Sequence, residues 1–218
     1  MPRRILFGQL VAFMLVTASP VLADASAVSP IELYGAEIQF DVYRNGDLVG
    51  FHQVRFNENG ARLTVTSDFQ LQVKLLFFSA YRFAYRSRET WRHGVLEELE
   101  AEVDDNGELV RISEAGFRPG DYPTTHWSAG VLARERVFNT LIGRFNDVRI
   151  QPAGVEMVST ENGEISATRF VYSGELQNEV WYDQQGRWVK MRFKGNDGSL
   201  IDYECVRCQG GEQETARR

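Results

Sequence analysis

The chain is 218 residues long, with 24 lysines and arginines against 30 acidic side chains and a net charge of −6. That balance argues against nucleic acid and anionic lipid surfaces as partners. The length suits one domain with a sizeable core, and no repeat or linker divides it.

The first residues read as a targeting segment. Arg3 and Arg4 form a positive start, Ile5 to Ala18 an apolar run, and Val21-Leu22-Ala23 a small-residue cleavage site. The run is short of the roughly twenty apolar residues that a membrane span needs. The expectation is a signal peptide over 1–23, a lead over 24–35, one β-rich domain over 36–208 and a flexible tail over 209–218. Removing Arg3 and Arg4 leaves 22 basic against 30 acidic groups, a net of −8. The expected location is periplasmic, with no transmembrane segment after cleavage.

Next come Ile38, Phe40 and Val42, alternating with polar neighbours and followed by Arg44-Asn45-Gly46. A three-residue loop there pairs Tyr43 with Asp47 and Val42 with Leu48. Asn59-Gly60 reads as a two-residue turn that sets Phe56 opposite Leu63, Val54 opposite Val65 and His52 opposite Ser67. From Arg62 to Leu75 the apolar residues fall almost without exception on odd positions, the period of a strand with one dry face. Fourteen such residues span about 46 Å at about 3.3 Å each, a length typical of coiled sheets and barrels. The return run alternates likewise, with Tyr81, Phe83, Tyr85 and Trp91 on the dry face.

Arg92-His93-Gly94 reads as a second three-residue loop, pairing Arg88 with Glu98 and Glu89 with Glu97. The outer face then carries arginines opposite acids, a solvated ladder of ion pairs. Asn106-Gly107 closes another hairpin, with Val103 against Val110 and Ala101 against Ile112. Between Thr125 and Ile142, Trp127, Val131, Phe138 and Ile142 recur at helical spacing, which predicts one inserted α-helix at about 125–142. Strands resume at Val148 and continue to Val206, with turns at Gln184-Gln185-Gly186 and Asn196-Asp197-Gly198. The predicted fold is mainly β: a single strongly curved antiparallel sheet of 10–12 strands, a half-open or closed barrel around that helix.

Cys205 and Cys208 are the two cysteines. In an extended strand their Cα atoms stand near 10 Å apart, beyond disulfide reach, so a bond requires a turn. Both alternatives, bonded or free, stay open at this point.

Asp41-Val42-Tyr43-Arg44-Asn45-Gly46, Glu89-Thr90-Trp91, Thr125-His126-Trp127 and Trp181-Tyr182-Asp183 with Gly186-Arg187-Trp188 resemble a family of exported proteobacterial proteins known only as a domain of unknown function. The resemblance spans roughly Glu37 to Tyr203 and implies no activity or catalytic residues. More loosely, long strands around one inserted helix resemble the LolA- and LolB-like periplasmic lipoprotein carriers, whose half-open barrel holds acyl chains.

No nucleophile elbow, phosphate loop or dinucleotide fingerprint is present, and no cofactor is expected. His52, His93 and His126 lack companions at ligand spacing, so no metal is expected. Two candidate sites remain. His52, Ser67, Glu89 and Glu97 fall on the dry face and, in the expected registers, form an inward polar cluster. Phe69, Leu75, Phe77, Tyr81, Phe83, Tyr85, Trp91, Trp127 and Phe138 make an apolar surface suited to a lipid-like ligand. Leu75-Leu76-Phe77-Phe78, apolar on both faces, is a candidate rim or partner contact. The reading is a binding or carrier module for an amphipathic ligand. Its alternatives are an envelope interaction factor and a hydrolase using the His/Glu cluster.

Overall fold

The computed structural model describes residues 29–75 and 78–210. The leader read at 1–23, the lead up to residue 28, Leu76, Phe77, the side chains of Leu75 and Phe78, and the tail beyond Gly210 lie outside the described residues.

The described chain opens with a short helix, α1 (Pro30–Tyr34). Ser29 caps it by accepting the Ile31 N–H at 3.1 Å, and Pro30 occupies the first turn, where its missing donor costs nothing. Twelve strands follow: β1 (Glu37–Arg44), β2 (Asp47–Asn59), β3 (Arg62–Leu75), β4 (Phe78–Arg92), β5 (Val95–Asp105), β6 (Glu108–Ala115), β7 (Arg136–Asn139), β8 (Arg144–Thr160), β9 (Gly163–Gly174), β10 (Asn178–Asp183), β11 (Trp188–Lys194) and β12 (Leu200–Arg207). They form one antiparallel sheet in the order β6-β5-β4-β3-β2-β1-β12-β11-β10-β9-β8-β7. Two six-strand meanders thus meet where β1 pairs with β12. The sheet curls without closing: β6 and β7 are its two ends and do not pair.

Alternation places the core on one face. Ile38, Phe40, Val42, Val54, Val65, Phe69, Tyr85, Leu99 and Val103 are buried, as are Tyr182, Trp188 and Tyr203 from the second meander. The opposite face carries ion pairs, the expected Arg82–Asp104 at 2.6 Å and also Arg111–Glu102 at 2.9 Å, while Arg88 faces Glu100 and not Glu98. Such exposed pairs each contribute at most about 1 kcal/mol.

The turns explain where the registers depart from expectation. Asn45-Gly46, His93-Gly94 and Asn106-Gly107 all hold two successive residues at positive φ, the signature of two-residue type I′ hairpins. The Asn106 hairpin pairs Val103 with Val110 and Ala101 with Ile112, as its sequence implies. The loops read as three residues at Gly46 and Gly94 are two, and a bulge lies just inside each hairpin. Val42 consequently faces Gly50 and Glu89 faces Leu99, not Leu48 and Glu97. The β2–β3 turn is Gly60-Ala61, which moves His52 opposite Phe69 and Val54 opposite Ser67. Most shifts are even, so most dry side chains keep their face. Leu48, beyond the bulge, is exposed instead.

The α-helix expected at 125–142 does not form. In its place stand a 3-10 turn at Ala129–Ala133, an extended stretch and then β7. Ser128 caps only that single turn, accepting the Gly130 N–H at 3.3 Å. Trp127, Val131 and Phe138 are all buried, as the helical spacing suggested, but they reach the core from a crossover and a strand.

At Gly50 the β3 backbone leaves no room for a side chain. A Cβ there would stand 1.8 Å from the Gln70 carbonyl oxygen, backbone that cannot give way. Gly50→Ala is expected to cost about 3 kcal/mol in urea unfolding, the upper range for overpacking. A loss below about 1 kcal/mol would show that the two strands separate freely at this point.

Candidate functional site

The chain between β6 and β7 must travel from one end of the sheet to the other, and it does so across the concave face. Its middle, Thr125-His126-Trp127, is pinned there by hydroxyls from α1 and from β10. The Tyr34 hydroxyl donates to the Trp127 carbonyl at 2.8 Å and accepts the Trp188 N–H at 2.8 Å. The Tyr182 hydroxyl donates to the His126 carbonyl at 2.8 Å. Further along, Tyr122 and Thr124 exchange hydrogen bonds with Phe138, covering the outer edge of β7. A buried segment outside the ladder needs such partners, because unpaired peptide groups are costly.

Glu89 supplies the fourth anchor. It lies on the dry face of β4 with 0 % of its surface exposed. One oxygen, Oε2, accepts the Trp91 indole N–H at 2.8 Å and the Trp127 indole N–H at 3.1 Å. The other, Oε1, has no hydrogen-bond partner among the described residues. Burial raises the carboxyl above its usual range, and the Trp91 and Trp127 donors oppose that rise only in part. Glu89 is therefore a buried acid that holds its proton more tightly than an ordinary carboxyl, placed under two indoles.

Those indoles form the floor of a cleft of about 270 Å³. Its walls come from Ser29 and Pro30, the β2–β3 turn with Arg62 and Leu63, the His93-Gly94 turn, and Tyr122. The Trp91 ring stands 5.5 Å from Trp127 and 5.4 Å from Tyr122, and Trp127 stands 5.6 Å from Phe56. Charge is confined to the rim, where Glu58 accepts a hydrogen bond from Ser29 and Arg62 faces Arg92 across the ladder. Concave, with aromatic rings at its floor and polar and charged side chains around them, the place has the shape of a small-molecule site.

The predicted polar cluster comes together only in part. Ser67 faces Ser87, two positions from Glu89 on the same face. Glu97 is displaced by the bulge between Thr90 and Trp91, and its carboxylate accepts from Arg92 at 2.7 Å. No pair of carboxylates remains for acid–base work at Glu89. His52 lies farther along the concave face, its ring 5.5 Å from Trp188, 5.6 Å from Tyr203 and 5.7 Å from Phe69. As a residue it is half-buried, yet both ring nitrogens are shut off from solvent and unpartnered among the described residues. His126 sits across the same indole, 5.6 Å from Trp188.

Of the predicted apolar surface, Phe69, Tyr85, Trp91, Trp127 and Phe138 are buried, and Tyr81 and Phe83 half-buried, all packed into one core. Aromatic contacts fill the concave side: Phe40 lies 4.4 Å from Trp188, and Phe69 stacks on Tyr203 at 6.0 Å. Sequence reasoning missed Tyr122, Tyr34 and Arg62. Tyr122 sits in a stretch without periodicity, and nothing in the spacing of Tyr34 shows that its hydroxyl bridges both halves. Cys205 and Cys208 are joined, their Cα atoms 5.8 Å apart at the turn that ends β12. Among the described residues no helix is long and apolar enough to cross a membrane.

A domain of unknown function, DUF6134, matches residues 40–206 of the chain. No curated protein matches it. Among solved structures, the chain is similar to the crystal structure of a beta-barrel-like protein of the domain of unknown function DUF1849 from Brucella abortus. The TM-score is 0.50 at 9% sequence identity, over 79% of this chain and 95% of that one. That likeness concerns the fold alone.

Two opposite pH dependences follow from the buried groups. A carboxyl raised in the folded state binds its proton more tightly there, so Glu89 favours folding at low pH. This contribution is lost as pH rises from the ordinary value of 4.5 towards the raised one. Glu89→Gln should therefore match the wild type near pH 4 and exceed it in urea midpoint at pH 7. A gap that stays constant with pH would show that Glu89 is ionised in the fold. Burial lowers His52 to about 3 and His126 to about 4, the charge of His126 adding to the shift at His52. Their contribution is present above 6.5 and lost as pH falls towards those values. His52→Leu should flatten the acid limb of the stability profile between pH 6.5 and 4. An unchanged limb would mean that the ring is reached by water.

Proposed function

We propose that this chain, which belongs to the DUF6134 family, is a binding module for an amphipathic small molecule, and that the cleft over Trp91 and Trp127 is its site. The observation that carries the reading is the shared carboxylate beneath the floor. With both indole N–H groups committed to Glu89, the two rings are fixed in advance at the floor of the cleft, where only their edges are exposed. A floor held before the ligand arrives spares the ordering cost that otherwise subtracts from affinity.

The volume of about 270 Å³ limits the occupant. It fits a ring system or a short alkyl chain, below the usual 300–1,000 Å³ of drug-sized sites. A long acyl chain laid through the sheet, as in the LolA- and LolB-like carriers, would have to displace Phe40, Trp188 and Tyr203. The filled middle of the sheet thus argues against the carriers' mode of binding and favours a ligand at the end of the curl. The basic start, apolar run and small-residue motif of residues 1–23 support an exported, periplasmic setting.

A second reading has its own observation. The sheet is open at β6, where Leu109 and Val110 are 47% and 46% exposed although Val110 belongs to the dry face. Leu141 and Ile142 are also exposed, next to Gly143, which lies against Ile112. An unpaired strand bordered by apolar side chains is the substrate of strand addition by an envelope partner.

The two readings separate in one experiment. Protein purified from its own cell envelope is examined by native mass spectrometry, and purified protein is titrated with octyl glucoside while tryptophan fluorescence is followed. The expected result is a co-purifying small molecule and a saturable fluorescence change, both abolished by Ala61→Trp at the cleft wall and both kept in Val110→Lys. No adduct and no saturable change, with pull-down of an envelope protein lost in Val110→Lys, would replace the first reading by the second.

A further inference from the structure

Within the second meander, the β8–β9 turn meets the end of β12. Glu161, in the turn between β8 and β9, lies over the Cys205–Cys208 disulfide. Its Oε1 accepts the backbone N–H of Cys208 at 2.8 Å and of Gln209 at 2.7 Å. Its Oε2 is thereby aimed at the sulfurs, 2.8 Å from Cys205 Sγ and 3.5 Å from Cys208 Sγ. Among the described residues no cation pairs with this carboxylate, and a carboxylate beside cysteine sulfur opposes formation of thiolates. That opposition disappears if a cation sits between them.

We propose that Glu161, Cys205 and Cys208 are a zinc site that is masked by the disulfide and exposed by reduction. The three ligand atoms lie within 4.8 Å of one another, the reach of one ion bound by sulfur at about 2.3 Å and oxygen at about 2.0 Å. The ligands fit the ion: two cysteines separated by two residues on a turn, plus a carboxylate oxygen, with a fourth position for water. The carboxylate is already oriented by two peptide donors, the kind of support that holds metal ligands in place. Cys208 is buried and Cys205 half-buried, so a reductant meets Cys205 first.

The chemistry balances with an external dithiol as reductant. Its thiolate attacks Cys205 Sγ, the S–S bond breaks, and Cys208 leaves with the electron pair and takes a proton. The second thiol of the reductant then displaces Cys205, leaving two cysteine thiols and an oxidised reductant. Zn²⁺ binding releases the two thiol protons and forms two S–Zn bonds and one O–Zn bond.

The test uses the whole exported chain and Zn²⁺ alone, with a phosphine as reductant because it does not hold zinc as a dithiol does. The phosphine takes up the oxygen of water and leaves the same two thiols. Zinc is titrated against a chromophoric chelator, and stoichiometry is read by native mass spectrometry. One Zn²⁺ per chain is expected for the reduced protein and none for the oxidised protein. Glu161→Gln, which keeps the cysteines, should weaken binding about tenfold or more while leaving the circular dichroism spectrum unchanged. Cys205→Ser with Cys208→Ser should abolish it. Reduced protein that yields all its zinc to a micromolar chelator would overturn the proposal. So would a Glu161→Gln variant that binds as tightly as the wild type.

Discussion

A carboxyl group sunk among aromatic rings is tolerable because two indole N–H groups point at it. Glu89 belongs to β4 in the first meander, Trp91 stands two residues on, and Trp127 comes from the crossover. The acid thus fastens the crossover to the strand face. Tyr34 and Tyr182 do the same for its backbone from the other side. Remove these ties and the segment would carry unpaired peptide groups through the interior, at about 1–3 kcal/mol each. The curl of the sheet, the filling of its hollow and the floor of the cleft all follow from keeping that segment in place.

This arrangement makes the interior unlike a plain hydrocarbon core. Two histidines flank one indole, Trp188, with their nitrogens largely deprived of partners. The rings supply bulk, while the polar atoms fix which ring goes where, a role well attested for buried polar groups. The Asp183–Arg187 pair shows the same economy: Asp183 accepts the Arg187 guanidinium at 2.7 Å and two backbone N–H groups of its own turn. With every acceptor on that carboxylate used, a buried charge holds the β10–β11 turn in shape.

Much of this was legible in residue spacing. Odd-numbered Leu63 to Leu71 and Tyr81 to Trp91 point inward because strand periodicity admits nothing else, and the Asn106-Gly107 hairpin sets its own register. Asn196-Gly198 likewise pairs Phe193 with Ile201 and Met191 with Tyr203. What escaped is nonlocal. A bulge adds a residue without a sequence mark, so the cluster of His52, Ser67, Glu89 and Glu97 was drawn from shifted ladders and Glu97 fell out of it. The apolar spacing of Trp127, Val131 and Phe138 fits a helix on paper. Here hydroxyls from α1 and β10, distant in the chain, bind peptide groups that a helix would have paired internally. The cleft escaped as well, since its walls come from segments that only the curl brings together.

The strand order also fixes how the chain finds its shape. Every neighbour within each meander is adjacent in sequence, so ten of the ladders can zip from their own turns; the β1–β12 ladder alone joins distant ends. Loop-closure entropy for that ladder is spent once, after both halves exist, and it grows only slowly with chain length. The kinetic bottleneck is then a docking of two preformed wings along one seam, with the crossover as the tether that sets their effective concentration.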